Sequence, residues 1–211
     1  GVGGCAGWPG VEEERIVEVA SGRRLTRTEL LAALAGCEVV LLGELHDNPR
    51  HHARRGALLA DLAAVAPGTA LVAEHLDRGR AVAFGVDLRA SLVAAGFDVQ
   101  GWQWPLHEPL FAAIARARLP LRGGNAPRER VREVARSGLA AAPAELRALI
   151  EAAPLTAAAQ AELDADLIEG HCGRLPAARL PGMRAAQRVR DAAMALALRE
   201  SGGRPAVLLA G

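Results

Sequence analysis

The sequence lacks both Tyr and Lys, and its three cysteines stand far apart at Cys5, Cys37 and Cys172. Every cation is therefore Arg, and 25 basic residues against 24 acids leave a formal net charge of +1. That balance offers no basic excess to hold nucleic acid or an acidic membrane surface. The cysteine spacing matches no zinc or redox pattern, and an odd number cannot pair completely within one chain. Cys37, beside an apolar run, reads as a core residue. No stretch is long and apolar enough to span a bilayer. A Gly-rich phosphate loop, a Gly-x-Ser-x-Gly elbow and a His-Glu-x-x-His helix are all missing. Nucleotide hydrolysis and the common serine and zinc peptidase mechanisms thus lose their usual support. Aromatics are few, yet five of the six Phe and Trp residues fall at Phe84, Phe97, Trp102, Trp104 and Phe111.

What is present is a 211-residue chain, half of it hydrophobic, long enough for one sizeable core. Its organising stretch runs from Glu38 to His52. Val39 to Gly43 is a short continuous apolar run, the pattern of a parallel strand buried on both faces. Acids and imidazoles follow at once: Glu44, His46, Asp47, then Asn48-Pro49-Arg50-His51-His52. Asn48 is a helix cap and Pro49 a first helical residue, so His51 and His52 fall in the first turn. Ligands of open α/β sheets gather at the carboxyl ends of strands, where these residues lie.

The rest alternates in the same way. Thr26 to Glu29 has capping-box spacing and starts a helix that Gly36 stops. Glu14 to Val19 reads as an edge strand, and a helix to about Ala66 turns Leu58, Leu59 and Leu62 to the sheet. A second strand, Thr69 to Ala73, ends in Glu74-His75. Further strands are expected at Phe97 to Val99, Leu119 to Arg122 and Pro205 to Gly211, with helices at Leu88 to Ala95 and Leu110 to Arg118. The fold class is α/β: a parallel sheet with flanking helices, plus a smaller all-helical domain inserted before the last strand. The boundaries read as 1–24 for an N-terminal tether and edge strand, 25–126 with 203–211 for the α/β domain, and 127–202 for the helical domain. The last helix carries Met183, Gln187, Arg190, Asp191 and Met194 on one stripe, which suits a solvated face, a domain contact or a ligand-facing side.

Glu44 with His46 and Glu74 with His75 come from strands expected to be neighbours, with Asn125 at a third strand end. Such carboxylate and imidazole groups bind transition metals or exchange protons with a substrate. Phe84, Phe97 and Phe111 suit the core, whereas Trp102 and Trp104 beside His107 suit either a core wall or the wall of a planar ligand. His171-Cys172 lacks a second pair to complete a zinc site and reads as structural. Val2-Gly3-Gly4-Cys5 reads either as the end of a bacterial lipoprotein signal, with Cys5 lipidated, or as an incidental Cys in a disordered terminus.

Several motifs together resemble the ChaN-type haem-binding uptake lipoproteins. They are Val39 to Pro49 with His51-His52, the Trp102 to Pro109 block, Gly124 to Arg128, His171-Cys172-Gly173, and Met183 to Met194. Glu44-x-His46 alone is also similar to erythromycin-esterase-like and TraB/Tiki-like proteins. The resemblance implies haem as ligand, a homodimer enclosing it, and a lipid-anchored, periplasm-facing place in the bacterial cell envelope. An outer-membrane haem receptor is the implied transport partner, and the anchor the only membrane contact. The iron ligand of a well-known member is Tyr, which this sequence lacks. In its place His107 is expected as axial donor beside Trp102 and Trp104, with His51, His52 or Arg50 meeting propionate. The rival expectation is a metal-dependent hydrolase whose divalent transition metal sits among Glu44, His46, Glu74 and His75.

Overall fold

The computed structural model describes residues 15–211. Its frame is a parallel four-stranded sheet in the order β3-β6-β4-β5. The strands are β3 (Val39–Leu42), β4 (Ala70–Asp77), β5 (Leu121–Asn125) and β6 (Ala206–Leu209). β1 (Ile16–Val17) and β2 (Arg24–Leu25) make a separate antiparallel ribbon. The helices α1 (Arg27–Ala35), α2 (Pro49–Val65), α3 (Leu88–Ala94) and α4 (Glu108–Arg116) accompany the first strands. Between β5 and β6 the chain is helical: α5 (Arg128–Ser137), α6 (Ala144–Ala152), α7 (Ala157–Gly170) and α8 (Leu180–Glu200).

Local signals fix the helix starts. Thr26 and Glu29 form the capping box of α1. At α2 the Asn48 side chain accepts a hydrogen bond from Arg50 N at 3.0 Å, and Pro49 occupies the first turn, where no intrahelical donor is lost. Leu59 and Leu62 then bury fully against Leu71, Phe111 and Val207 in the main core.

Several expectations are corrected. The final strand β6 enters the middle of the sheet, so β3 becomes an edge. Val40 is buried, but Val39 and Leu41 are 49% and 68% exposed, because among the described residues only one face of β3 is covered. Cys37 is exposed rather than core. Phe97 to Val99 forms turns instead of a strand: Phe97 N bonds back to Leu92 O at 3.0 Å, and Asp98 Oδ1 accepts from Gln100 N and Gly101 N. β4 and β5 run past Ala73 and Arg122, which places Glu74 and His75 inside a strand.

Gly123 permits that extension. The β4–β5 register shifts between Ala73 and Asp77, and a Cβ on Gly123 would lie 2.1 Å from the Asp77 carbonyl oxygen. Backbone cannot yield as a flexible side chain can. Gly123→Ala is therefore expected to lose stability near the upper end of the roughly 1–3 kcal/mol typical of overpacking, read as a lower urea midpoint with unchanged m.

The helical segment builds a second core around Val131, Val134, Leu146, Ile150 and Val189. α8 also crosses β4, β5 and β6, and Met194 packs where Gly124 has no side chain. This helix thus joins both cores, and the helical layer hangs over the carboxyl end of the sheet.

Candidate functional site

Glu44 leaves the end of β3 and turns inward until its side chain is fully buried. Five cationic or imidazole groups meet it. His46 Nδ1 donates to Oε1 at 2.7 Å, and the Arg55 guanidinium pairs with Oε2. His52 Nδ1 lies 3.2 Å from Oε2, while His75 Nε2 and His107 Nε2 lie 3.5 and 3.6 Å from Oε1. Helix geometry explains part of this convergence, since His52 and Arg55 share a face of α2 at i, i+3. β4 supplies His75, and the residue preceding α4 supplies His107.

Tautomers follow from the partners. His52 Nε2 donates to the His46 carbonyl at 3.0 Å, so its Nδ1 is a lone pair facing Glu44 and Arg55 and the ring is neutral. Burial pushes the His52 pKa down, drives His75 well below its ordinary value, and lowers His107 to about 4. In the last case the nearby Trp102 backbone opposes the shift without reaching hydrogen-bond geometry. Burial likewise lowers Arg55 to about 10, opposed by the charge of Glu74. One carboxylate and one guanidinium thus sit among the neutral rings of His52, His75 and His107.

Next to this buried hub lies an open cleft of about 650 Å³ between the sheet edge and the helical layer. His46, His75 and Trp102 line the sheet side; His171, Met183 and Gln187 line the helical side. Trp102 stands 5.0 Å edge-on from the His46 ring and 4.3 Å from that of His75. Arg128 and Arg190 supply positive charge, with Arg190 donating to Asn125 Oδ1 at 3.0 Å and Asn125 Nδ2 to the Glu74 carbonyl at 3.0 Å. His171 Nδ1 donates to the Leu167 carbonyl at 2.7 Å. In both His46 and His171, therefore, Nδ1 holds the proton and Nε2 is the nitrogen left for a ligand.

Glu44, His46, Glu74, His75 and Asn125 come together, although β6 separates β3 from β4 and Glu74 and His75 lie within β4 rather than beyond its end. The aromatic and helix-start residues separate. Trp102 reaches the cleft, but Trp104 packs 5.9 Å from Phe97 in the core. His107 is 1% exposed, its ring 3.9 Å from that of His52, so neither imidazole faces a surface-bound macrocycle. Both rings are set back from the cleft: a buried carboxylate draws in the imidazoles that the sequence pattern placed at the rim. His51 Nδ1 accepts from Leu45 N at 2.9 Å; Arg50 and Asp47 are exposed and lie outside the cleft lining. Cys5 lies outside the described residues. Arg55 was not singled out by sequence reasoning, Arg128 entered only as the last residue of the Gly124 to Arg128 motif, and His171 read as structural. The i, i+3 spacing of Arg55 from His52 was the one local signal for the first.

Haem needs an axial donor, a flat apolar wall and cations for two propionates. The cleft offers an imidazole whose Nδ1 is held by a carboxylate, the arrangement that orients metal-ligating His, together with Trp102 and two Arg. These residues fit the group. No curated protein matches the sequence. Among solved structures the chain is similar to one described as cofacial heme binding to ChaN of Campylobacter jejuni. The TM-score is 0.73 at 16% identity, covering 93% of this chain and 79% of that one, which is a likeness of fold. A family model described as haem-binding uptake, Tiki superfamily, ChaN matches residues 30–211, and the chain belongs to that family.

Proposed function

We propose that the protein is a haem-binding lipoprotein of bacterial haem and iron uptake that holds haem as cargo in the cleft between the sheet edge and the helical layer. The observation carrying this reading is the cleft itself, where His46, Trp102, Arg128 and Arg190 meet in one space. His46 is the axial donor through Nε2, with Glu44 holding Nδ1 and so fixing its tautomer and ring orientation. Trp102 is the ring wall, and Arg128 and Arg190 meet the propionates. His171 and Met183 face the haem from the helical side. Imidazole is among the common axial donors of haem iron.

The cofacial binding named for the Campylobacter protein supports a haem whose outer face meets a second copy, hence a homodimer. Cys5 carries the lipid anchor in this reading. That anchor places the protein on the periplasmic side of the cell envelope, where an outer-membrane receptor hands over haem.

Haemin titration followed by absorption tests the binding. Saturable uptake with a shifted Soret band is expected. His46→Ala should weaken affinity at least about tenfold and alter the spectrum, as loss of a metal-site partner does. Failure of the wild-type protein to take up haemin would end the proposal, and an unchanged spectrum in His46→Ala would remove the ligand assignment. Sedimentation with and without haemin tests the dimer.

A further inference from the structure

We infer that Glu44, His75 and His107 form a second site, beneath the cleft, for one divalent transition ion of the Zn²⁺ or Co²⁺ kind. It uses ligands different from the haem donor proposed above and does not rest on that reading.

One donor atom from each of the three residues lies within 4.8 Å of the others. The two imidazole nitrogens sit 3.5 and 3.6 Å from the same carboxylate oxygen, too far for hydrogen bonds. A tetrahedral ion with bonds of about 2.0–2.2 Å has donor–donor edges of about 3.3–3.6 Å, so the two carboxylate–imidazole separations suit shared ligands of one metal, and the set as a whole, within 4.8 Å, closes around the ion as it binds. The second observation is the state of the rings. His75 and His107 are 3% and 1% exposed, and none of their four ring nitrogens has a hydrogen-bond partner. Buried polar atoms are seldom left so, because each costs about 1–3 kcal/mol unpaired.

Charge permits a cation despite Arg55. Glu44 pairs with the Arg55 guanidinium, and the charge of Glu74 acts on it from further away, so one Arg does not leave the site positive before any ion enters. Glu44 Oε1 accepts from His46 with one of its lone pairs and keeps another for a metal. Two neutral imidazoles and a carboxylate select borderline ions over Mg²⁺ or Ca²⁺, and three protein donors leave a fourth position for water. This set differs from the crevice expected in the sequence, since His107 replaces His46 and Glu74. His46 Nδ1 already donates to Glu44, and Glu74 Oε2 accepts from Gly211 N at 3.2 Å.

The test titrates Co²⁺ into chelator-treated, haem-free protein and then displaces it with Zn²⁺. One equivalent with the visible bands of a four-coordinate ion is expected. His75→Gln and His107→Gln should each weaken Co²⁺ binding by at least about 10–100-fold, the loss seen when even an outer partner of a metal site is removed. His51→Ala should leave it unchanged. Absence of a stoichiometric Co²⁺ complex, or wild-type affinity in either Gln variant, overturns the proposal. Should the variants not fold, X-ray absorption of the wild-type Co²⁺ complex decides: two imidazoles in the shell support the site, and one or none refutes it.

Discussion

Glu44→Ala is expected to destabilise the protein by about 3–5 kcal/mol, the loss seen when one partner of a buried ion pair is removed. The reason is the guanidinium it abandons. The Arg55 side chain is 6% exposed, and without Glu44 its remaining close contacts are the Leu42 carbonyl at 3.2 Å and His52 Nδ1 at 3.4 Å. Neither carries negative charge. A typical domain has only about 5–15 kcal/mol of stability, so this one substitution removes a large share of it. Replacing both charges, in Glu44→Ala with Arg55→Leu, should cost less than the single change, because no isolated charge stays buried. Urea denaturation of the two single variants and the double variant gives the coupling directly. A loss under about 1 kcal/mol in Glu44→Ala would show that Arg55 finds solvent or another carboxylate.

The second large effect is acid lability of the metal-free and haem-free protein. Burial lowers the pKa of His52, His75 and His107, the last to about 4. The unfolded chain returns each to about 6.5, so below that pH it binds protons that the native state refuses. The stabilisation is complete above about pH 6.5 and is lost as pH falls toward the folded value. For His107, a shift to about 4 corresponds to roughly 3 kcal/mol at 1.36 kcal/mol per unit. His52 and His75 act in the same direction. Urea midpoints measured from pH 7.5 to 4 should decline steeply below pH 6.5. A flat profile would mean that these rings are solvated and titrate freely.

Residues acting on their immediate neighbours were legible in the sequence. Thr26 with Glu29 and Asn48 with Pro49 start helices because their partners lie within one turn, which spacing alone reveals. The meeting of Glu44, His46, Glu74 and His75 was also readable, since parallel strands present their ends on one rim. Burial was not. Whether His107 lies at a surface depends on Glu44 and Arg55, which reach it from distant segments. Likewise, the exposure of Leu41 depends on β6 entering the middle of the sheet rather than its edge. Glu74 and His75 looked like residues beyond a strand, yet Gly123 in β5 lets β4 continue through them. His171 reaches the cleft only because α7 and α8 fold over the sheet end, a tertiary placement that the His171-Cys172-Gly173 sequence does not encode by itself.

The most direct measurement is a crystal structure of the haemin complex. The macrocycle should lie against Trp102, between His46 and Met183, with its propionates toward Arg128 and Arg190. Haem found instead beside Arg50 and His51 at the start of α2, or bound nowhere on the molecule, would contradict binding in the cleft.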